Sequence, residues 1–304
     1  MSHEKLVQDA SVPVSEQPTR QSALYDRVAE QTASMIIREY STSFGMAARL
    51  LGAGVRQDVE NIYGLVRLAD EIVDGVAAYA GVSEKEIRRL LDELEEETEA
   101  AMKRGYSTNL VVHAFALTAR RTGIEPDLTR PFFTSMRVDI TRVTHTPKSF
   151  DDYVYGSAEV VGLMCLKAFL VGKDLTPEEN DTFVTGARKL GAAFQKVNFL
   201  RDLSADVDAL GRSYFPGINI ATFTEEQKMV LVADIDSDLA VSGAIVPLLP
   251  ASSRKAVALA QNLFAELNRR IARTPAAELK HTRVSVPTLV KVRLALAVLM
   301  GKTS

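Results

Sequence analysis

The sequence predicts an all-α protein, in which about ten helices with short connections form one bundle. Three observations favour this fold class. Nearly every segment after residue 21 places apolar residues at helical spacing. Several of these segments open with residues that cap helix N-termini. No run of alternating Val, Ile and Thr bounded by turn residues stands out, so we predict no β-strand.

The predicted helices follow one another along the chain with short breaks. In order, they cover residues 24–40, 41–51, 55–76, 83–102, 109–122, 126–144, 149–171, 176–209, 224–248, 252–273 and 287–300. The LGAG stretch separates the second helix from the third. Ser83 and Glu86 have the spacing of a capping box at the start of the fourth. The eighth begins with TPEE at 176–179, which puts proline at the first helical position and glutamate three residues after the cap.

Composition and charge limit the possible classes of function. Hydrophobic residues make up 46% of the chain and charged residues 25%, which is ordinary for a globular protein. The net charge of -3 supplies no basic surface for binding nucleic acid. The single cysteine, Cys165, excludes an internal disulfide and suits a reducing cytoplasm. Its apolar neighbours predict a small buried side chain.

The N-terminal residues and the apolar stretches bear on location. Residues 1–20 mix Ser, Glu, Gln and Pro without an apolar core, so we predict a disordered segment followed by one domain at 21–304. The longest apolar stretch, VVGLMCLKAFLVG, is too short to span a bilayer and contains Lys167. No basic amphipathic helix stands out. We therefore expect a cytoplasmic protein that is soluble or lies on a membrane.

A row of polar side chains runs along the helix predicted at 55–76. At about 100° per residue, it places Tyr63, Arg67, Asp70 and Asp74 within about 60° of one another. The apolar stripe beside this row consists of Ile62, Val66, Ala69 and Val73. The acids therefore flank the buried face of the helix instead of lying opposite it.

The helix predicted at 176–209 repeats this arrangement. Its polar row consists of Gly191, Gln195, Asn198 and Asp202, and Asp206 extends the row by one turn. Its apolar stripe consists of Leu190, Phe194 and Val197. Gly191 leaves room at the start of the row.

Paired acids beside a packing stripe favour a bound cation. Acidic pairs four residues apart are usually solvated helix faces, but like charges one turn apart destabilise a helix, and here the neighbours are Tyr, Arg, Gln and Asn. Oxygen ligands without a Cys/His cluster favour Mg²⁺ over zinc, and Mg²⁺ completes its coordination with substrate phosphates. With Arg67, Arg201 and Arg212 nearby, the rows predict a Mg²⁺-dependent enzyme that acts on a prenyl diphosphate beside an apolar cavity.

Five co-linear motifs resemble those of the squalene/phytoene synthase family. They are YSTSF (40–44), YGLVRLADEIVDG (63–75), YVYGSAEVVG (153–162), QKVNFLRDLSAD (195–206) and GRSYFP (211–216). RVSVP (283–287) is similar to the tail of the family's phytoene branch. The resemblance covers residues 25–295, roughly, and implies an isoprenoid-synthase helical bundle around a central cavity.

The resemblance also implies roles for individual residues. Asp70 and Asp74 match the first aspartate-rich motif of the family, and Asp202 and Asp206 match the second. Together with Asn198, these acids would bind Mg²⁺, with Mn²⁺ as the alternative ion. The positions that match contacts to the diphosphates are Ser41, Ser43, Tyr63, Arg67, Gln195, Asn198, Arg201, Arg212 and Tyr214. Tyr155 matches a catalytic tyrosine of the cavity near the reacting carbons.

Simpler interpretations stay open for several of these residues. Ser41 and Ser43 could only cap the following helix. The three tyrosines could only pack in the core with satisfied hydroxyl groups, and Arg201 could form a structural ion pair. Glu71 stands where many relatives have a second aspartate. Asp139 matches a family position, but no role for it follows from the sequence.

The implied reaction is the head-to-head condensation of two geranylgeranyl diphosphates through prephytoene diphosphate to phytoene, with release of two diphosphates, in carotenoid biosynthesis. We expect no NADPH in this reaction. Two alternatives remain: a squalene or dehydrosqualene synthase that uses farnesyl diphosphate, and a non-catalytic assembly protein of the same fold, which the four retained aspartates disfavour. Because the product is a hydrocarbon, we expect peripheral contact with the inner face of the membrane and a downstream desaturase as partner.

Overall fold

The protein is all-α, as the sequence predicts. A computed structural model describes residues 20–141, 144–203 and 214–301, and contains no β-strand within these ranges. In chain order, the α-helices are α1 (Arg20–Tyr40), α2 (Thr42–Ala48), α3 (Ala53–Val73), α4 (Val76–Tyr79), α5 (Glu84–Arg104), α6 (Leu110–Thr122), α7 (Pro126–Thr141), α8 (Pro147–Val154), α9 (Val160–Phe169), α10 (Pro177–Arg201), α11 (Glu225–Ile245), α12 (Ala251–Arg273), α13 (Ala276–Leu279) and α14 (Thr288–Leu299). Short helical turns lie at Tyr155–Glu159, Ile220–Thr222 and Val246–Leu248. The segment predicted to be disordered, 1–20, lies outside the described residues except for Arg20, which begins α1.

The helix starts that were predicted from capping residues are confirmed. At the start of α5, the Ser83 hydroxyl accepts a hydrogen bond from the backbone N–H of Glu86. At the start of α10, Thr176 and Glu179 form both hydrogen bonds of a capping box, of 3.2 and 2.9 Å. These side chains satisfy N–H groups that a helix N-terminus leaves without an intrahelical partner.

Two predicted helices are interrupted. The helix expected at 55–76 ends at Val73, and after Gly75 the chain continues as the short helix α4. The helix expected at 149–171 is divided by a π-helical turn at Tyr155–Glu159. At that turn, a side chain on Gly156 would collide with the backbone carbonyl of Pro131 in α7. Close tertiary packing therefore accompanies a local change of register that the sequence does not reveal.

Two large apolar clusters form most of the core, and α9 lies between them. One cluster is centred on α10, α11 and α12, and the other on α3, α5, α6 and α7. Helix α9 packs against both α3 and α10. The two helices that carry the polar rows therefore lie on either side of α9.

Glycines bring α10 close to the segment that contains the π-helical turn and α9. A Cβ atom on Gly191 would lie 2.6 Å from the backbone oxygen of Ala158, and one on Gly162 would lie 2.6 Å from that of Ala187. The room that Gly191 leaves is thus filled by the backbone of the neighbouring segment. No helix among residues 20–141, 144–203 and 214–301 is both long and apolar enough to cross a membrane.

Candidate active site

A cavity of about 640 Å³ lies between α2, α3, α9, α10 and α12. Most of its lining is apolar, with aromatic side chains from several of these helices. The aromatic lining residues that carry no hydroxyl group are Phe44, Phe169, Phe183, Phe194 and Phe264. The nearby apolar residues Met136, Val160 and Leu163 pack in the core and are not part of this lining. The volume is typical of small-molecule sites.

Polar residues line the part of the cavity that meets solvent. We call this set the polar rim, and it consists of Tyr40, Ser41, Thr42, Ser43, Arg67, Gln195, Asn198, Arg201 and Arg283. These residues come from the junction of α1 and α2, from α3, from the C-terminal part of α10, and from the segment before α14. Tyr40, Thr42 and Arg283 are exposed. An apolar hollow with a cationic and hydroxyl-rich mouth suits a ligand with an anionic head and an apolar tail.

Arg67 organises the α3 side of the polar rim. Its Nη1 atom donates to Asp70 Oδ2 at 2.7 Å, its Nη2 atom donates to Glu71, and its guanidinium lies 4.2 Å from the centre of the Tyr40 ring. Burial lowers the pKa of Arg67, but the Glu71 hydrogen bond and the Asp70 charge outweigh this and raise it, so the side chain stays cationic. Its Nε atom is buried and has no hydrogen-bond partner among the described residues. That donor is available to a ligand oxygen.

The two acids of the first row lie where α3 ends. Asp70 is about half-exposed, and Asp74 caps the helix with its backbone N–H bonded to the Asp70 carbonyl at 2.9 Å. Asp74 lies close enough to Tyr153 for its charge to help raise the pKa of that hydroxyl, after burial and Asp139. The Glu71 carboxylate accepts a hydrogen bond from the backbone N–H of Val76 in α4. Glu71 thus pairs with Arg67 and with α4.

Asp202, which belongs to the second predicted row, lies at the end of α10 next to Arg201 and Arg283 of the polar rim. It caps α10, and its carboxylate accepts from Arg201 Nε at 3.0 Å, from Arg201 Nη2, and from Arg283 Nε at 2.7 Å. Burial raises the pKa of Asp202, but the two guanidinium groups outweigh this and hold it below its usual range. The carboxylate is therefore charged at neutral pH. The expected ion pair of Arg201 is present, and Arg201 also lines the cavity.

Arg283 is a functional candidate that the sequence reasoning missed. It opens the RVSVP motif, and its side chain is 68% exposed, lines the cavity and bonds to Asp202. It belongs to no helical row because it precedes α14 in an extended stretch, so periodicity did not single it out. The RVSVP motif was the one available signal.

Ser41, Ser43 and Tyr63 lie together at the polar rim. The Ser41 hydroxyl accepts from the Phe44 backbone N–H at 3.2 Å, which confirms the predicted N-cap of α2. Ser41 also bonds to Tyr63, whose ring stacks on Phe44 at 5.8 Å. Burial raises the pKa of Tyr63. All three predicted residues line the cavity as well, so capping and cavity lining occur together.

Two tyrosines predicted to lie near the substrate do not line the described cavity. The Tyr155 ring faces the Arg188 guanidinium at 5.2 Å, because the π-helical turn that begins at Tyr155 changes the register relative to the cavity-lining part of α9. Tyr214 is buried and stacks on Phe199 at 4.0 Å. In the described structure both rings pack against other protein side chains, and their predicted roles near the substrate stay predictions.

The structure shows a structural role for Asp139, for which the sequence suggested none. The buried Tyr153 hydroxyl donates to both of its carboxylate oxygens at 2.8 Å. Tyr153 in turn packs against His145, Phe199 and Tyr214. This buried aromatic cluster connects α7 and α8 to the end of α10, which carries Asp202.

The acids near the polar rim, together with Asn198 of the rim, are of the chemical type that binds a hard divalent cation. Asp70, Asp74, Asn198 and Asp202 offer only oxygen or amide donors, and Mg²⁺ is commonly held by one or two carboxylates together with substrate phosphate. No group of three or more His, Cys, Asp or Glu side chains that could share a metal occurs within the described ranges. The predicted ligand Asp206 and the predicted diphosphate contact Arg212 lie outside them.

Cys165 faces the cavity, as its position in α9 allows. Its neighbours are apolar, and burial raises the pKa of the thiol to about 12. The thiol is therefore protonated at neutral pH. The cysteine predicted to be buried is half-buried, because it forms part of the cavity wall.

Comparisons with known proteins identify the family and the fold. The family described as Squalene/phytoene synthase matches residues 37–290. The chain is 30% identical to the 15-cis-phytoene synthase of a Paracoccus species, over 61% of this chain and 59% of that protein, and 28% identical to the phytoene synthase of Arthrospira platensis, over 76% and 73%. Among solved structures, a dehydrosqualene synthase has a TM-score of 0.75 at 22% identity, covering 91% of this chain and 97% of that one. A squalene synthase from Alicyclobacillus acidocaldarius has a TM-score of 0.70 at 18% identity, covering 83% and 97%.

Proposed function

Because the chain belongs to the squalene/phytoene synthase family, which is a family of prenyltransferases, we propose that it is a phytoene synthase. It would condense two geranylgeranyl diphosphates head to head, form prephytoene diphosphate, and convert this to phytoene with release of two diphosphates. The relatives named phytoene synthase support this choice over a synthase that uses farnesyl diphosphate. The similar solved structures support the fold alone.

The main support for the proposal is that a single cavity has both an apolar interior and the polar rim. On one side, Arg67 pairs with Asp70, and on the other Arg201 and Arg283 share Asp202. All three arginines line the same cavity. Asp70 and Asp202 come from helices that are far apart in sequence, and both pair with arginines that line this cavity. This arrangement supports the proposal that a metal-diphosphate binds at the cavity mouth.

The residues of the polar rim would hold the diphosphate groups. Arg67, Arg201 and Arg283 offer guanidinium donors to phosphate oxygens, and Ser43 offers a hydroxyl. A Mg²⁺ ion held by Asp70, Asp74, Asn198 and Asp202 would supply a positive charge that stabilises the leaving diphosphate. Departure of the first diphosphate leaves an allylic cation, which the double bond of the second substrate attacks with loss of a proton. Ionisation of the cyclopropyl diphosphate, rearrangement and loss of a second proton complete the reaction.

The apolar lining would protect the cationic intermediates. Phenylalanine and aliphatic side chains exclude water, which would otherwise capture the cation as an alcohol. Cys165 is the wall residue with the most nucleophilic side-chain atom. Because its thiol is protonated, it is a weak nucleophile towards a passing cation.

The proposed product determines the proposed surroundings of the enzyme. Phytoene is a hydrocarbon that water does not dissolve, so it must pass into lipid or directly to an enzyme that consumes it. We therefore propose peripheral contact with the inner face of the membrane and a desaturase as the next enzyme.

The direct test is a product assay on the full chain. We expect phytoene from geranylgeranyl diphosphate with Mg²⁺ and without NADPH, and a loss of at least about 100-fold in Asp202→Asn, because the variant removes a charged ligand at the leaving group. Asp152→Asn, which changes an exposed acid of α8, is the matched control and should retain full activity.

Two results would contradict the proposal. A hydrocarbon product from farnesyl diphosphate, with none from geranylgeranyl diphosphate, would assign the chain to the squalene or dehydrosqualene branch. Full turnover in a folded Asp202→Asn protein would remove Asp202 from the site.

A further inference from the structure

The last helix of the structure, α14, has apolar residues on two opposite faces. One face packs into the core through Val290, Leu294 and Val298. The other consists of exposed apolar residues, which we call the outer stripe: Leu289, Val292, Leu296, Leu299 and Met300. At about 100° per residue, the outer stripe occupies an arc of about 100°, opposite the buried face. Leu289 is 85% exposed and Met300 is 74% exposed.

The N-terminal half of α14, which carries part of the outer stripe, lies beside the mouth of the cavity. Lys291 Nζ, in the first turn of α14, donates to Thr42 Oγ1 at 3.3 Å, and Thr42 belongs to the polar rim. Arg283, a few residues before α14, also belongs to the rim. A surface that covers the outer stripe would therefore lie next to the opening through which substrate enters and product leaves.

The sequence around α14 is cationic. Residues 279–304 contain five Lys and Arg side chains and no Asp or Glu, although the whole chain has a net charge of -3. Two of the cations, Lys291 and Arg293, lie within α14, and Arg293 is exposed beside the outer stripe. An exposed apolar stripe with a cation beside it, in a segment without acids, is compatible with a helix that lies in an anionic membrane interface.

We propose that α14 is a docking helix for an anionic lipid bilayer, in which the outer stripe enters the headgroup region and brings the cavity mouth to the membrane. This inference rests on the proposed function, since an apolar substrate and a hydrocarbon product are the reason to place the mouth there. The helix has 12 residues and a length of about 18 Å. A bilayer core is about 30 Å thick, so α14 lies along the surface instead of crossing it.

A docking helix was not evident from the sequence for a physical reason. A surface helix usually shows one apolar face and one polar face, and this contrast is what periodicity detects. In α14 both faces are apolar, so the contrast disappears. Only the structure separates Leu294 and Val298, which the core covers, from Leu289 and Leu296, which face solvent.

The test measures flotation of the full chain with lipid vesicles in the absence of substrate. The vesicles are phosphatidylcholine alone, or phosphatidylcholine with phosphatidylglycerol. We expect the wild type to bind the anionic vesicles more tightly than the neutral ones. The double variant Leu289→Glu/Leu296→Glu should bind the anionic vesicles at least about tenfold more weakly, because two charges replace the apolar contact. Arg293→Gln should weaken binding to the anionic vesicles only.

The matched control carries the same two charges elsewhere. Val230→Glu/Leu248→Glu changes exposed apolar residues on and just after α11 and should bind vesicles as the wild type does. All variants should keep the melting temperature of the wild type, and all should turn over detergent-dispersed geranylgeranyl diphosphate equally well. Equal turnover separates a docking defect from damage to the site.

Several outcomes would overturn the docking helix. Unchanged vesicle binding by Leu289→Glu/Leu296→Glu would do so, as would a wild type that floats with neither kind of vesicle. A wild-type dimer that dissociates in this variant, without vesicle binding by either protein, would assign the outer stripe to a second copy of the chain. If the wild type binds vesicles through α14 but forms no hydrocarbon from geranylgeranyl diphosphate, the proposed function alone fails.

Discussion

At the scale of single residues, the site is a set of carboxylates already paired with arginines. Asp70 is bonded to Arg67, and Asp202 is bonded to both Arg201 and Arg283. The two guanidinium groups beside Asp202 hold the pKa of that carboxyl below its usual range, so it stays ionised beside an apolar cavity. A metal-diphosphate brings its own positive and negative charges, so it can exchange partners with these pairs while the charges stay balanced.

Asp58 supports a prediction about pH and stability. It is buried, and its Oδ1 atom accepts from Thr118 at 2.9 Å and from Arg121. Burial raises its pKa, although both partners lower it. The folded protein therefore holds this proton more tightly than the unfolded chain does. Stability should fall as pH rises from the ordinary aspartate value of about 3.9 to the raised pKa.

Replacing this carboxylate should remove that part of the pH dependence. In Asp58→Asn, the amide oxygen can still accept from Thr118 and nothing titrates. The stability of the variant relative to the wild type should therefore rise with pH across this interval in urea unfolding. Asp152→Asn, which changes an exposed acid, should show no such trend. A constant difference between Asp58→Asn and the wild type would refute the buried-carboxylate explanation.

Residue identities at the site were predictable to different degrees. The seven predicted diphosphate-contact residues from Ser41 to Arg201 all line the cavity. They could be predicted because each belongs to a helical row or to a motif that the sequence shows directly. Arg283 was missed because it reaches Asp202 from an extended stretch 81 residues further along the chain. The sequence did not reveal that Tyr155 and Tyr214 lie outside the described cavity lining, because their positions depend on a π-helical turn and on stacking with Phe199.

At the scale of elements, helix starts were predictable and interruptions were not. Capping residues act on the N–H groups within their own first turn, so local sequence reveals them. The break after Val73 and the π-helical turn at Tyr155–Glu159 depend on contacts with other helices, such as Gly156 against Pro131. The sequence near each interruption does not indicate which residues of other helices make these contacts.

The close approach at Gly191 gives a prediction for an element pair. Gly191→Ala should destabilise the protein by about 1–3 kcal/mol, because the new methyl group would lie 2.6 Å from the Ala158 carbonyl and push α10 away. Chemical denaturation would measure this. Gly54→Ala is the matched control: its Cβ meets no atom within 4 Å, so the same change should be neutral or slightly stabilising in the first turns of α3. Equal effects of the two substitutions would contradict the packing account.

At the scale of the whole molecule, the all-α class followed from periodicity, but the position of the cavity did not. The space opens where α9 keeps α3 and α10 apart, and no single helix determines that separation. We propose that acids from α3 and α10 bind a divalent ion, which binds a diphosphate at the polar rim. The prenyl chain would fill the apolar cavity.

The most direct measurement of that claim is anomalous diffraction from crystals of the full chain grown with Mn²⁺ and the unreactive thiolodiphosphate analogue of geranylgeranyl diphosphate. The account predicts an anomalous peak at the polar rim, coordinated by Asp70 or Asp74 and by Asp202, with the diphosphate against Arg67, Arg201 and Arg283 and the tail inside the cavity. A tail outside the cavity, or metal bound away from these acids while Asp202 keeps both of its arginines, would contradict it.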